Sequence, residues 1–359
     1  MRRQDRQILN GALIVGGATA LIDILMQWME HRDKGIDFTW DSYKGMRTFK
    51  RSLVGATVGG GLGNAHYRYQ ISQEAKLPFN SDDYVKKILT EEHLKANPAA
   101  FKSVVAARER VKQWMVDKFG NKLVALPEDT GSFYKRTAIA SNYDLDIVLP
   151  FKRSSYNSLE EMYYDVYEVV GKEFGGRATV TKQTKAIGLT FENNGNPIHF
   201  DVVPGREINN YAVEKDLNLY VKPDWIWQRG SSFKTNIGVQ KRMTVNKPEA
   251  RTVIKLLKTY RDRNSLPLPT LMVEQCVVDA LSENNFGIYT SPTENLLNCM
   301  DFISKKMEQK SLIDIANSNN NLHDKITDMQ RSYISNQLRK DIQSIEENPR
   351  YMKEIFECD

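Results

Sequence analysis

The chain has 359 residues, 41% hydrophobic and 26% charged, a globular composition with length enough for two domains of ordinary size. The basic excess is small, +5 with a pI near 8.8, which suits an anionic partner but disfavours a protein that tracks long nucleic acid over a strongly basic surface. Three cysteines, Cys276, Cys299 and Cys358, show no CxxC spacing; this argues against a disulfide framework or a zinc site and for a reducing, cytoplasmic compartment. The first apolar stretch lacks a convincing processing site, so no cleavable signal peptide is expected.

The first seventy residues differ from the rest. "GALIVGGATALIDILMQW" (11–28) is almost wholly apolar, with one charge, Asp23; "LVGATVGGGLGN" (53–64) carries two overlapping GxxxG spacings, Gly55–Gly59 and Gly59–Gly63. An apolar, Gly-rich helical hairpin follows, and membrane association through residues 11–64 is one reading. Against it, the first run only just reaches the roughly 18 residues that span a bilayer, and the second is too short. An unpaired Asp23 would cost about 2.5–3.5 kcal/mol at mid-membrane, and the connector's Arg32, Lys34, Lys44, Arg47, Lys50 and Arg51 resist translocation. These costs favour a soluble hairpin or an oligomer contact.

Residues 81–120 carry apolar positions at helical spacing, with Ser81 and Asp82 as candidate caps and Gly120 at the end. A strand is expected around 122–126, then a Gly-Ser turn at Gly131 and Ser132, then a strand bearing Asp144 and Asp146. Residues 158–174 read as an amphipathic helix. The stretch 177–205 gives short strands, with "NNGN" as a hairpin turn. Long helical patterns occupy about 246–262, 269–283, 291–309 and 322–345, and "ANSNNN" (316–321) reads as a loop.

The chemistry concentrates in "GSFYKRTAIASNYDLDIVLPF" (131–151) and "IHFDVVPG" (198–205). Strand side chains alternate, so Asp144 and Asp146 point the same way, roughly 7 Å apart. Such a pair needs a cation or a raised pKa. A strand carrying Asp201 and pairing beside 143–149 would add a third carboxylate, an oxygen donor set suited to Mg²⁺. Two such ions can activate an attacking hydroxyl and clamp leaving phosphate oxygens. His199, on the same strand, fits a structural or hydrogen-bonding role better than metal ligation. Gly131 permits close approach of the backbone to a phosphate, and Ser132 adds a hydroxyl.

Gly-Ser, then Asp-x-Asp on a strand, then a later strand Asp resembles the nucleotidyltransferase superfamily that includes DNA polymerase β. Within it the chain is most similar to the subgroup of oligoadenylate synthase, cyclic GMP-AMP synthase and the bacterial CD-NTase antiphage enzymes. The stretch 250–281 resembles the helical domain of that subgroup, and 315–326 its Asn-rich loop; the likeness covers about residues 80–350. It implies an α/β (α+β) nucleotidyltransferase core with a mixed sheet over 80–235, a C-terminal all-helical domain over 236–359, and an active site in the cleft between them. Asp144, Asp146 and Asp201 would be the catalytic metal ligands for two Mg²⁺ ions, with Mn²⁺ as a substitute. Gly131, Ser132, Lys258 and Thr270 would bind the triphosphate, Lys255 being the weaker candidate. The substrates would be nucleoside triphosphates such as ATP. The favoured product is a cyclic oligonucleotide messenger acting on a separate effector protein in antiviral defence.

Simpler readings stand beside these. Lys255 and Lys258 fit a solvated helix face, Thr270 an N-cap after Pro269, and Trp225, Trp227 and Tyr260 core positions. Two other functions also fit the pattern: synthesis of a linear oligonucleotide or addition to a 3′ end, and a catalytically inactive sensor or scaffold.

Overall fold

The structure, a computed structural model, describes residues 2–33, 45–74, 77–192, 197–223, 225, 228–282 and 285–357. The "NNGN" turn, Trp227, Cys358, Lys34 and Lys44 lie outside the described residues. The chain divides into two compact units: Met1–Ser81 with Asp262–Ser265 and Gln343–Asp359, and Asp82–Arg261 with Leu266–Ile342. The core and most of the helical region share the second unit.

The first unit begins with two long helices, α1 (Arg3–Asp33) and α2 (Gly45–Glu74). Their contact depends on missing side chains. A Cβ on Gly59 would sit 2.1 Å from the Gly11 carbonyl oxygen, and one on Gly63 would sit 2.1 Å from that of Gln7. The GxxxG spacing is therefore the contact face itself. Glu74, at the end of α2, accepts hydrogen bonds from Arg3 (3.0 Å) and from Lys353 (3.1 Å) near the C-terminus.

The second unit continues with α3 (Ser81–Glu91) and α4 (Pro98–Phe119). Sequence periodicity suggests one helix here; the structure breaks it. Asn97 is extended, as a residue before proline prefers, and Pro98 restarts the helix at a position where its missing N–H costs nothing. Asp82 accepts hydrogen bonds from Ser291 Oγ (2.7 Å) and the Thr293 amide (3.1 Å), capping another helix than its own.

The expected strand at 122–126 reduces to a single bridge, Leu123 to Phe151, since Pro127 has no N–H to continue a ladder. Then come β1 (Glu128–Asp129), the short turn α5 (Gly131–Tyr134), β2 (Leu145–Phe151), α6 (Leu159–Phe174), β3 (Thr179–Lys182), β4 (Ile187–Phe191) and β5 (Ile198–Glu207). These are followed by α7 (Tyr211–Glu214), β6 (Asp216–Val221), β7 (Ser231–Asn236) and α8 (Ile237–Arg242). One mixed seven-stranded sheet results, ordered β1-β2-β5-β4-β3, with β6 pairing β5 and β7. Strand β2 runs parallel to β5, and the other pairings are antiparallel.

Alternation divides the residues of β2 between two environments. Leu145, Ile147, Leu149 and Phe151 join Phe200 and Val202 of β5 in the main core, closed by Met162, Tyr163, Val166 and Val170 of α6. Val148 belongs to a second, smaller cluster with Tyr211, Leu217 and Ile237. Asp146 shares the face of Val148.

The remaining elements are α9 (Pro248–Arg263), α10 (Thr270–Ala280), α11 (Pro292–Met307), β8 (Ile313–Asp314), β9 (Asn317–Asn321), α12 (Asp328–Glu347) and α13 (Met352–Phe356). The Asn-rich stretch, expected as a loop, is a strand. It pairs antiparallel with β8, and Asn320 donates to Asp314 Oδ2 at 2.9 Å. Asn side chains make local hydrogen bonds that resemble loop chemistry in sequence, and here they secure a hairpin.

Candidate active site

The parallel pairing of β2 with β5 places Asp146 opposite Asp201 in register. Neighbouring strands lie about 4.8 Å apart, so the two carboxylates project side by side from one face. Asp144 is exposed and lies just ahead of β2, two residues before Asp146. The electrostatics carry the signature of this crowding. Burial, then the charges of Asp201 and Asp144, push the Asp146 carboxyl up to about 7, against the pull of Lys135. Burial also raises Asp201, partly offset by a 2.8 Å hydrogen bond from Gln183 Nε2, with Asp144 adding to the rise.

The Gly-Ser turn abuts this pair. Gly131 has φ +63°, a left-handed conformation, and a Cβ built on it would fall 1.7 Å from Asp146 Oδ2. The Thr130 amide donates to the Asp146 carbonyl at 3.0 Å, which locks the turn to the strand. The Ser132 carbonyl accepts from the amides of Thr137 (2.9 Å) and Ala138 (3.1 Å), directing the chain back beneath the turn. Arg136, between them, also takes a positive φ of 58°. A non-glycine residue there is uncommon and marks a locally constrained backbone.

Two adjoining cavities open here, sharing His93, Leu94 and Phe101. One, of 560 Å³, is lined by Asn142, Tyr143, Asp144 and His199. The other, of 590 Å³, is lined by Phe133, Arg136, Arg251 and Lys255 together with Lys95. A space bordered by one carboxylate, Asp144, thus adjoins a basic one. His199 Nδ1 pairs with Thr190 Oγ1 at 3.0 Å, the hydrogen-bonding role expected of it.

No protein-family model matches this chain, and no curated protein sequence does. Solved structures do match. Bradyrhizobium diazoefficiens CdnG, a CD-NTase in complex with GTP, superposes with a TM-score of 0.63 at 13% identity, over 77% of this chain and 95% of that one. E. coli MS115-1 CdnC with ATP gives 0.59 at 16% identity, over 77% and 97%. The cyclic dinucleotide synthase CdnE of Elizabethkingia meningoseptica, with GTP and Apcpp, gives 0.51 at 18%, over 73% and 98%. The fold is that of the CD-NTases. At these identities the likeness extends to the fold, and the roles of side chains rest on their own geometry.

Within the CD-NTase fold the helical-region candidates separate. Lys258 is not on a solvated face: it is 4% exposed. Its ammonium donates to the Thr137 carbonyl at 3.1 Å and lies 3.5 Å from Glu274. Glu274 also receives the Lys135 ammonium and the Thr137 hydroxyl (3.0 Å). Burial pushes Lys258 down to about 8, against the attraction of Glu274. Although burial pushes the Glu274 carboxyl up, Lys135 and Lys258 hold it below the usual carboxylate range. This buried knot ties α9 and α10 to the segment that follows the Gly-Ser turn. Sequence reasoning missed Glu274, Lys135 and Thr137, and the one available signal was a lone acid inside the apolar run "TLMVEQCVV".

Lys255, ranked second from sequence, lines the basic cavity. Thr270 does not cap α10, since Pro269 occupies that position. It lies exposed, accepting a hydrogen bond from Arg261 Nη1 at 2.8 Å. Tyr260 is buried, as expected of a core residue, and its hydroxyl donates to Asp341 at 2.7 Å. Trp225 is 69% exposed, which corrects the core assignment.

Among the described residues, no three His, Cys, Asp or Glu side chains close into a ready metal-ligand cluster. The chemistry of the aspartate set nevertheless fits a hard divalent cation. The donors are oxygens only, and such a cation would offset both the burial that chiefly raises Asp146 and the repulsion from Asp201 and Asp144.

Proposed function

We propose that the protein is a divalent-metal-dependent nucleotidyltransferase that joins nucleoside triphosphates with release of pyrophosphate, forming a cyclic oligonucleotide. The observation that carries the reading is the registered Asp146–Asp201 pair, with Asp144 beside it and a positive-φ glycine pressed against Asp146. Asp144, Asp146 and Asp201 would hold Mg²⁺ or Mn²⁺, which when bound lowers the pKa of the attacking hydroxyl and neutralises charge on the phosphates. The chain's own residues position the reactants. Gly131 and Ser132 let the phosphate approach the backbone beside Asp146. Lys255, Arg136 and Arg251 line the neighbouring cavity and supply cationic partners for the triphosphate tail, the part assigned from sequence to Lys258 and Thr270. Little covalent chemistry is asked of the protein, so positioning and charge neutralisation carry the rate. The CD-NTase fold supports the cyclic product class, with a separate effector protein as its receiver.

The test is incubation of the purified full chain with each labelled NTP and dNTP plus Mg²⁺ or Mn²⁺, and chromatographic resolution of the products. The expected outcome is a phosphatase-resistant cyclic product that disappears in Asp144→Asn/Asp146→Asn. A ladder of phosphatase-sensitive products would establish the linear alternative. No product under any condition, from folded protein, would leave the sensor reading.

A further inference from the structure

We propose that the hairpin α1–α2 inserts into a lipid bilayer, whose acyl chains cover its outward surface; the inference is independent of the proposed transfer reaction. Helix α1 is apolar well beyond the stripe with which it touches α2, and α2 carries an outward apolar surface between exposed Lys50 and Arg51 at one end and Arg68 at the other. On α1, Leu9, Leu13, Ile14 and Ile22 are exposed, and at 3.6 residues per turn they fan over more than half the circumference. On α2, exposed Phe49, Leu53, Val54 and Leu62 do the same. A helix of a water-exposed hairpin carries a single apolar stripe, whereas one apolar all round sits in a core or a membrane. A second copy of the hairpin would cover one flank of each helix and leave the others in water. Lipid covers every flank at once.

Length agrees. Among the described residues, Arg3–Met29 is the one helical stretch long and apolar enough to cross a membrane. Its part from Ile8 to Met29 rises about 33 Å at 1.5 Å per residue, against a hydrocarbon core of about 30 Å.

The structure also offsets part of the charge cost that weighs against insertion in the bare sequence, that of Asp23, while Lys50 stays exposed near the start of α2. Asp23 is fully buried between the helices. Its carboxylate accepts hydrogen bonds from Thr48 (2.7 Å), Gln27 (2.8 Å), Arg47 (3.0 Å) and Arg51. The buried acid is therefore paired with Arg47 and with the half-exposed Arg51 of α2, as intramembrane ionic groups are paired. The close glycine contact supplies the packing that holds transmembrane helices together where no hydrophobic drive between them exists.

The experiment is density-gradient flotation of the full-length protein with vesicles of phosphatidylethanolamine and phosphatidylglycerol, followed by an alkaline carbonate wash. Wild-type protein is expected to float and to stay with the vesicles through the wash. Leu13→Glu/Leu53→Glu, with helix content checked by circular dichroism, is expected to drop to the lipid-free background. Wild-type protein that stays lipid-free as a monodisperse oligomer without detergent would overturn the proposal in favour of a second copy. Release by carbonate, or flotation of the folded double variant at the wild-type level, would overturn it too. Should the variant misfold, tryptophan quenching of wild-type protein by lipids brominated on their acyl chains decides: quenching supports insertion, and its absence overturns it.

Discussion

At residue scale, Gly131 is constrained twice, by its own left-handed backbone and by the carboxylate that fills the space of its missing Cβ. Gly131→Ala must therefore displace Asp146. We expect nucleotidyl transfer to fall by roughly 100-fold, the usual consequence of an ångström-scale misplacement of a reacting group. Single-turnover rates at saturating NTP measure it, and a wild-type rate would remove the turn from the site. The two lysines of α9 should behave differently from each other. Lys258→Ala leaves buried Glu274 with one ammonium in place of two. We expect a loss of about 3 kcal/mol in denaturant melts, the low end for breaking a buried ion pair because Lys135 remains. Lys258→Met, which keeps the volume, should lose no more than alanine does. Lys255→Ala should melt like wild type and raise KM for the triphosphate, since its side chain lines an open cavity. If KM is unchanged, the basic cavity does not hold the triphosphate tail.

At the scale of elements, the end of α2 is fastened by charge. The hydrogen bond from Arg3, then that from Lys353, outweigh partial burial and lower the Glu74 carboxyl to about 2. A folded pKa below the ordinary 4.5 stabilises the folded state above that value, and the contribution is lost as pH falls toward 2. In detergent, wild-type protein should melt above Glu74→Gln at pH 6, and the gap should close as pH drops through this window. A gap constant with pH would mean that packing, not charge, fastens the helix end. Element boundaries show how far local pattern reaches. The helix at 159–174 was readable from its amphipathic spacing, and the structure adds a Ser158 cap whose hydroxyl accepts from the Glu161 amide at 3.0 Å. The break between α3 and α4 was marked by Asn97-Pro98 but hidden by continuous apolar periodicity on both sides. The Asn-rich strand was hidden because its pairing with β8, not its composition, makes it a strand.

At the scale of the molecule, the two ends of the chain meet in one unit. Arg6 donates to the Glu357 carbonyl at 3.1 Å, and Asn264 donates to that of Ile355 at 2.8 Å. Deleting residues 1–80 alone should therefore leave the buried Ile355 and Phe356 without the hairpin surface and promote aggregation. Trimming residues 343–359 as well should restore a monodisperse species, which size-exclusion chromatography with light scattering checks; equal behaviour of the two truncations would refute the coupling. The sequence by itself determined the strand alternation that points Asp146 away from the main core, the Gly-Ser turn, the glycine contact of the hairpin, and the resemblance that the fold matches. Those depend on dihedral preference and short periodicities, which act over a few residues. Tertiary structure decided that Asp201 stands in register with Asp146, that Asp23 is neutralised by α2, and that Lys258 is spent on Glu274 while Lys255 faces the cavity. Lys258 meets its carbonyl partner Thr137 across 121 residues of chain. Burial and charge pairing are set by such distant neighbours, and no local spacing encodes which of two lysines one turn apart will find them.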